Sequence, residues 1–391
     1  MPVKLSSGFS LAYCTNIHRG DGWEETFEGL KKHALRVRDR VAQGKPFVLG
    51  LRLSNRALLE LQAPGTRQNF RAWLEKENCV VAGINGFPFG SFHGAPVKDQ
   101  VFSPDWSEPA RLDYTKRLFD LLAELGAADG AGTVSTLPGS FKGFTRNADA
   151  QKIIRKNILN CAEHLAQLRD QTGLHMRLAL EPEPMGLVEN TTETIQLFDL
   201  LRDETTRPAL VDEFLGVCYD TCHFALQYEE PAEAITRLNQ NGAPVVKLHL
   251  SSALRLKPTT RALQRLATLQ EPVYLHQCIG RRNDGTIERY KDIPDALASS
   301  SVQALEEMRV HFHVPLTAQD LSDDLSTTSK HLSDALDVVT RTPGLVRELE
   351  IETYTWEVLP DALRSADVVD QIEGEYKWAL GELAKRGVRP L

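Results

Sequence analysis

No apolar run in the sequence approaches the length of a membrane span, so no transmembrane helix and no membrane insertion are expected. The opening residues, Met1-Pro2-Val3-Lys4-Leu5-Ser6-Ser7, lack the basic and apolar segments of a secretory leader, which makes the cytoplasm the expected compartment. Basic charge is in deficit: 45 Lys and Arg stand against 53 Asp and Glu, for a net charge of −8. That balance leaves no electropositive footprint for nucleic acid. The six cysteines (Cys14, Cys79, Cys161, Cys218, Cys222 and Cys278) are too widely spread for the disulfide framework of a small secreted fold. Cys218 and Cys222 are close, but the paired Cys-x-x-Cys units of a structural zinc site are missing, so buried free thiols are expected. There is no Gly-x-Ser-x-Gly, no Gly-x-Gly-x-x-Gly and no P-loop, which argues against a nucleophile elbow and against a nicotinamide or ATP enzyme.

What is present is an alternation of short apolar runs with helix-like segments. Leu11–Cys14, Phe47–Leu53, Val80–Asn85, Thr133–Leu137, Leu178–Leu180, Gly216–Tyr219 and Val245–Leu250 read as seven strands, each followed by a helical pattern. Phe27, Leu30, Ala34, Val37 and Val41 recur at helical spacing before a stop at Gly44. Ser54 reads as an N-cap, Pro109 and Pro231 as first-turn prolines, and Asn190 with Glu193 as a capping box. Such βα units predict a parallel barrel, which can fill 391 residues as one domain, 1–391. The last third is less regular. Pro272–Gln277 and Arg309–Pro315 look like strands, and Asp292–Ala298 and Thr327–Thr340 look helical. Either Arg309–Pro315 or Leu349–Thr353 can serve as the eighth strand. A long loop, Gly86–Gly94, follows the third strand and is expected to cover the barrel mouth.

In a parallel barrel, ligands gather at the C-terminal ends of the strands. Glu181, Asp220 and His249 stand at three such ends, and Glu350 and Glu352 share one face of the last run. A buried carboxylate needs a partner, and a salt bridge inside the barrel suits Glu181 alone as well as a metal does. Matching positions for Asp220 and His249 favour a divalent cation such as Mn, Zn or Mg. Glu352 lies nearer the strand end than Glu350, which reads as paired deeper in the barrel with an arginine. Glu183 shares a face with Glu181 and is expected to support it. His223 completes an Asp-x-x-His pair with Asp220, although a lone histidine there is more often a satisfied core residue. His311 and His313 alternate onto one face, and His276 lies nearby. Asn16, His18, Asn85 and Lys247 are candidates for touching substrate. Lys142, Arg281 and Arg282 either receive an anionic group or are solvated charges.

The order Glu, Asp-x-x-His, His, Glu on successive strands resembles the xylose-isomerase-like TIM barrels, a superfamily of sugar isomerases, epimerases and endonuclease IV-type enzymes. The segments LAYCTNIHRG, INGFPFGSFH, STLPGSFK, LALEPEP, CYDTCH, VKLHLSSA, YLHQ, VHFHVPL and ETYTWEVLP span nearly the whole chain and resemble the EboE-type metabolite-traffic proteins. The resemblance implies an α/β (β/α)8 barrel closed by Leu349–Thr353, with an insertion after strand 7 (about 252–324) over the mouth. It implies one divalent ion on Glu181, Asp220, His249 and Glu352, with Glu181 and Glu352 exchanging a proton as acid and base. The implied reaction is isomerisation or epimerisation of a small polyhydroxylated substrate: a sugar, polyol or cyclitol. Endonuclease IV-like barrels carry extra ligands, which makes His223, His276, His311 and His313 the candidates for a second metal. A metal-dependent phosphoesterase and a non-catalytic metabolite-traffic protein are the alternatives. Neither nucleic acid nor membrane is an expected partner, and an oligomer is compatible with the sequence.

Overall fold

The computed structural model describes residues 5–389 apart from 7, 95, 127–129, 145–146, 323, 343 and 361–363, so the reading of the first four residues lies outside the described part. Eight parallel strands close a barrel: β1 (Ser10–Cys14), β2 (Phe47–Arg52), β3 (Cys79–Asn85), β4 (Ala131–Thr136), β5 (His175–Leu180), β6 (Leu215–Asp220), β7 (Val245–Leu250) and a last strand, Glu348–Ile351. The last strand pairs with β7 through Glu350 and His249 and with β1 through Leu349 and Leu11. Leu349–Thr353 is therefore the run that closes the barrel. Leu349, Ile351, Leu248, Leu178 and Val134 are buried in one large apolar core with the surrounding helices.

Arg309–Pro315 lies elsewhere. Of it only Arg309 and Val310 belong to a strand, Glu307–Val310, in a separate six-stranded antiparallel sheet built between β7 and the closing strand. That sheet has its own apolar core, including Leu254, Leu256, Cys278, Ile293, Met308 and Val310. Pro272–Gln277, expected as a strand, is irregular, and the strand there is Cys278–Arg281. The alternating Val273, Tyr274 and Leu275 are strand-like in composition, but the Val273 carbonyl accepts from the amides of Val97 and Lys98. The segment thus packs on the mouth loops and joins no ladder.

Local signals act as their chemistry dictates. Ser54 accepts from the Ala57 amide, and Pro109 and Pro231 begin their helices. Asn190 accepts from Glu193 N, but the Glu193 carboxylate bonds Glu189 N and Lys142 instead of returning to the cap, so the expected capping box is half formed. All six cysteines are buried and free. Among the described residues no helix is long and apolar enough to cross a membrane.

One buried group away from the mouth gives a pH test. Burial pushes the carboxyl of Glu375 up to about 8, and its Oε2 has no hydrogen-bond partner. A raised folded-state pKa means that this carboxyl adds stability below about pH 4.5 and loses it as pH climbs through 8. Glu375→Gln is therefore expected to leave the melting temperature at pH 5 nearly unchanged and to raise it at pH 9. Parallel melting curves at the two pH values check this.

Candidate metal centre at the barrel mouth

Glu181, Asp220, His249 and Glu352 come from four different strand ends, yet one ligand-type atom of each lies within 4.8 Å of the others, and all four are buried. His249 Nδ1 sits 3.0 Å from Glu352 Oε2, 3.1 Å from Glu181 Oε1 and 3.6 Å from Asp220 Oδ2. A single N–H cannot serve three carboxylates, and buried carboxylates without a cation are costly. The donor set, oxygens plus one imidazole, fits a divalent ion.

Asp220 and Glu352 are each held through one carboxylate oxygen, which leaves the other for the cluster. Asp220 caps the helix Thr221–Leu226. Its Oδ1 accepts from the amides of Cys222 (2.7 Å) and His223 (3.0 Å) and from Ser251 Oγ (2.6 Å), while its buried Oδ2 has no hydrogen-bond partner. Burial would raise the Asp220 pKa, but His223 and His249 hold it well below the usual carboxylate range. Glu352 Oε1 accepts from Asn16 Nδ2 (2.8 Å) and Asn85 Nδ2 (3.0 Å), so Oε2 is the oxygen turned to the cluster. Burial raises the Glu352 pKa overall.

Beside this cluster three imidazoles converge. His223 Nε2 and His313 Nε2 each lie 3.1 Å from His311 Nε2. Their other nitrogens face acceptors: His223 Nδ1 the Pro182 carbonyl (3.0 Å), His313 Nδ1 the Glu352 carbonyl (2.7 Å) and His311 Nδ1 Gln277 Oε1 (2.8 Å). Gln277 Nε2 donates to Glu183 and to the Pro184 carbonyl, which makes its Oε1 an acceptor. With every Nδ1 donating, three bare Nε2 lone pairs crowd together, an arrangement suited to a shared cation. Asp220, His223 and His313 form a candidate ligand group of their own.

Other expected site residues are placed elsewhere. His276 has both nitrogens engaged, by the His311 carbonyl (2.8 Å) and by Glu271 Oε1 (2.9 Å), and stacks on Phe312. It is a structural support for the histidine pair. His18 stacks on His33 and bonds the Tyr13 hydroxyl at 3.0 Å, away from the mouth cavity. Lys247 turns into the barrel. Its Nζ lies 3.2 Å from Glu348 and 3.1 Å from Glu350, so the cation beside Glu350 is this lysine where an arginine was expected, and Lys247 does not line the mouth cavity. Glu350 in turn lies 3.3 Å from His249 Nε2. Burial would raise its pKa, but Lys247 and then His249 hold it down at about 2. Gly50 and Gly83, adjacent on β2 and β3, make room for these glutamates, since a Cβ on either would collide with a carboxylate.

The cavity above the cluster is about 50 Å³. Phe87, Phe92, Tyr274 and Tyr354 wall it, and Glu183 reaches into it. Phe92 packs 5.1 Å from both tyrosine rings, and His93 bonds the Tyr274 hydroxyl and the Asn16 carbonyl. Arg52, fully enclosed, holds the 86–94 loop through the carbonyls of Pro88 and Gly90. Burial pushes the Glu183 carboxyl up to about 8 against the pull of His223, so it is protonated at neutral pH. Lys98 is the cation lining the cavity among the described residues, and its ammonium is committed to Asp292 (2.7 Å) and two carbonyls. Lys142 pairs with Glu189 and Glu193, Arg281 with Glu306 and Arg282 with Glu288, all outside the cavity lining. Glu183, Gln277 and Tyr354 were not singled out as ligand-contacting residues, and the clue available was that they fall within LALEPEP, YLHQ and ETYTWEVLP.

The model of the xylose isomerase-like TIM barrel family matches residues 52–281, more than half of the chain. The chain belongs to that family. No curated protein matches the sequence. Among solved structures this family member is similar to an L-ribulose 3-epimerase (11% identity, TM-score 0.51, covering 96% of this chain and 95% of the other). It is likewise similar to the probable 3-DHS dehydratase AsbF of petrobactin synthesis from Bacillus anthracis (12% identity, TM-score 0.50, 94% and 98% covered). A third is the IOLI protein with a binding zinc atom (10% identity, TM-score 0.50, 96% and 98% covered). At these identities the likeness is one of fold.

Proposed function

We propose that the protein is a divalent-metal-dependent isomerase or epimerase of a small neutral polyol, sugar or cyclitol, in a metabolite-traffic context of the EboE type that its motifs resemble. The observation that carries this reading is a carboxylate–imidazole cluster at the base of a cavity lined by amides, carboxylates and aromatic rings, with no uncommitted cation among its described residues. Neutral hydroxyls suit such a lining, and a phosphate does not.

Glu181, Asp220, His249 and Glu352 would hold the ion, which supplies Lewis acidity toward vicinal substrate oxygens. Glu352, fixed through Oε1 by Asn16 and Asn85, uses Oε2 to take a proton from the substrate carbon. Glu181, on a different strand end and carrying a proton of its own, delivers that proton to the carbon on the opposite face, so that Glu352 ends protonated and Glu181 ionised. Protonated Glu183 donates a hydrogen bond to a substrate oxygen. Phe87, Phe92, Tyr274 and Tyr354 exclude water from the carbanionic stage. The test is solvent deuterium exchange into a panel of sugars and cyclitols with Mn or Zn present. Label entering a carbon-bound position supports proton transfer. Phosphate release from a phosphoester with no such exchange overturns it.

The convergent Nε2 atoms of His223, His311 and His313 favour one second reading, a phosphoesterase with a second metal on these histidines. Metal-dependent hydrolysis that His311→Ala abolishes, in a protein silent toward polyols, would select it.

A cavity of about 50 Å³ is too small for a monosaccharide, so the 86–94 loop or the Tyr274 segment must move for substrate to enter. Limited proteolysis in these two segments is expected to slow when metal and a bound polyol are added together. Cleavage indifferent to both would remove the lid role.

A further inference from the structure

The opposite end of the barrel holds a larger space. A cavity of about 800 Å³ opens at the N-terminal ends of the strands, far larger than the one over the metal cluster and within the range of small-molecule sites. Small residues leave it open: Ala82, Ala131 and Gly132 line it. Two arginines face it, Arg177 on β5 and Arg347 just before the closing strand. Arg177 donates to the Leu215 carbonyl at 3.2 Å, and neither guanidinium forms an ion pair among the described residues. They are close enough to act on each other, for burial and then Arg347 lower the Arg177 pKa. In a chain of net charge −8, two cations turned to one cavity and held in no ion pair, with Glu213 and Asp212 acting on Arg177 only at longer range, call for an anion.

The cavity also reaches Glu348. That residue is only 4% exposed, its Oε2 accepts from Thr133 at 2.6 Å, and its Oε1 is paired with Lys247 Nζ at 3.2 Å, so this carboxylate is committed inside the barrel and leaves the arginines unpaired.

We propose that this cavity binds a small organic anion, its carboxylate or phosphate held by Arg177 and Arg347. A pocket of this size with one pair of cations suits a metabolite. A nucleic acid or protein partner would need a broad charged surface.

The test is isothermal titration of the full-length, metal-loaded protein with gluconate and, separately, glucose 6-phosphate. One of the two is expected to bind with a Kd below about 1 mM, and which one binds tighter identifies the anionic group. Arg177→Leu and Arg347→Leu are each expected to weaken that binding by roughly tenfold or more. Ala131→Phe, which fills the cavity and spares both arginines, should abolish it, with melting curves showing that each variant is folded. Glu352→Gln, at the metal cluster, should leave it intact, so that failure of the polyol reading and failure of this one are separable. No binding of either anion, binding indifferent to Arg177→Leu and Ala131→Phe, or binding lost with Glu352→Gln would overturn the proposal.

Discussion

Glu352→Gln is expected to lower turnover by roughly a thousandfold while the barrel stays folded. The amide keeps the size of the side chain and can still accept from Asn16 and Asn85. What it removes is the charge of Oε2, the atom 3.0 Å from His249 Nδ1 that faces the cluster. A cation loses one anionic ligand and the substrate loses its base. Glu181→Gln should behave alike for the same reasons. Glu183→Gln is expected to cost far less, because burial already holds that carboxyl at about 8 and an amide donates much as the protonated acid does. Exchange rates with any polyol found active, read beside circular dichroism, check the series. Glu183→Gln as damaging as Glu352→Gln would show that the proton-transfer roles are assigned to the wrong carboxylates.

Lys247→Met is expected to destabilise the fold by about 3–5 kcal/mol, the cost of breaking a buried ion pair from one side. Lys247 and Glu350 are both fully buried, and Glu348 nearly so. Methionine leaves two carboxylates without their cation, in slots that Gly50 and Gly83 keep open. The sign of the pH dependence follows. With Lys247 present, Glu350 is held at about 2 and contributes stability that is lost only as pH falls toward that value. Without Lys247 burial dominates and the folded-state pKa moves above the unfolded one, so the loss grows as pH rises. Urea unfolding should therefore separate wild type and variant more at pH 8 than at pH 5. Adding Glu348→Gln and Glu350→Gln to Lys247→Met should recover part of the difference. Equal gaps at both pH values would mean that packing of the lysine stem, not its charge, is what matters.

The barrel was legible because its strands announce themselves twice, as short apolar runs and by the polar residue that ends each run. Leu178-Ala179-Leu180 followed by Glu181, and Val245 to Leu248 followed by His249, could be placed at strand ends from spacing alone. The shared face of Glu350 and Glu352 was legible too, with Glu350 the deeper of the two, but not the partner that Glu350 meets. Whether a glutamate at a barrel position meets a metal or an ion pair depends on what stands across the barrel. Lys247 could be seen as a charge near a strand end, and only the closed barrel shows that its strand parity turns it toward Glu350. The insertion was harder. Pro272–Gln277 has strand composition, yet its backbone partners are the loop amides of Val97 and Lys98, far earlier in the chain, which no local pattern records. His276 sits beside His311 in space and still has both nitrogens occupied, whereas His223, His311 and His313 converge because Pro182, Gln277 and Glu352 each supply an acceptor to Nδ1. Availability of a lone pair is a property of such partners and lies outside the reach of sequence spacing.

The most direct measurement is an anomalous-scattering map of crystals grown with saturating Mn or Zn. The expected result is a peak among Glu181 Oε1, Asp220 Oδ2, His249 and Glu352 Oε2, lost in crystals of Glu181→Gln, with a second peak among the Nε2 atoms of His223, His311 and His313 if two ions bind. A map with no peak among the carboxylates at saturating metal, in protein whose fold and Glu181 side chain are intact, would contradict the metal centre on which the proposed chemistry depends.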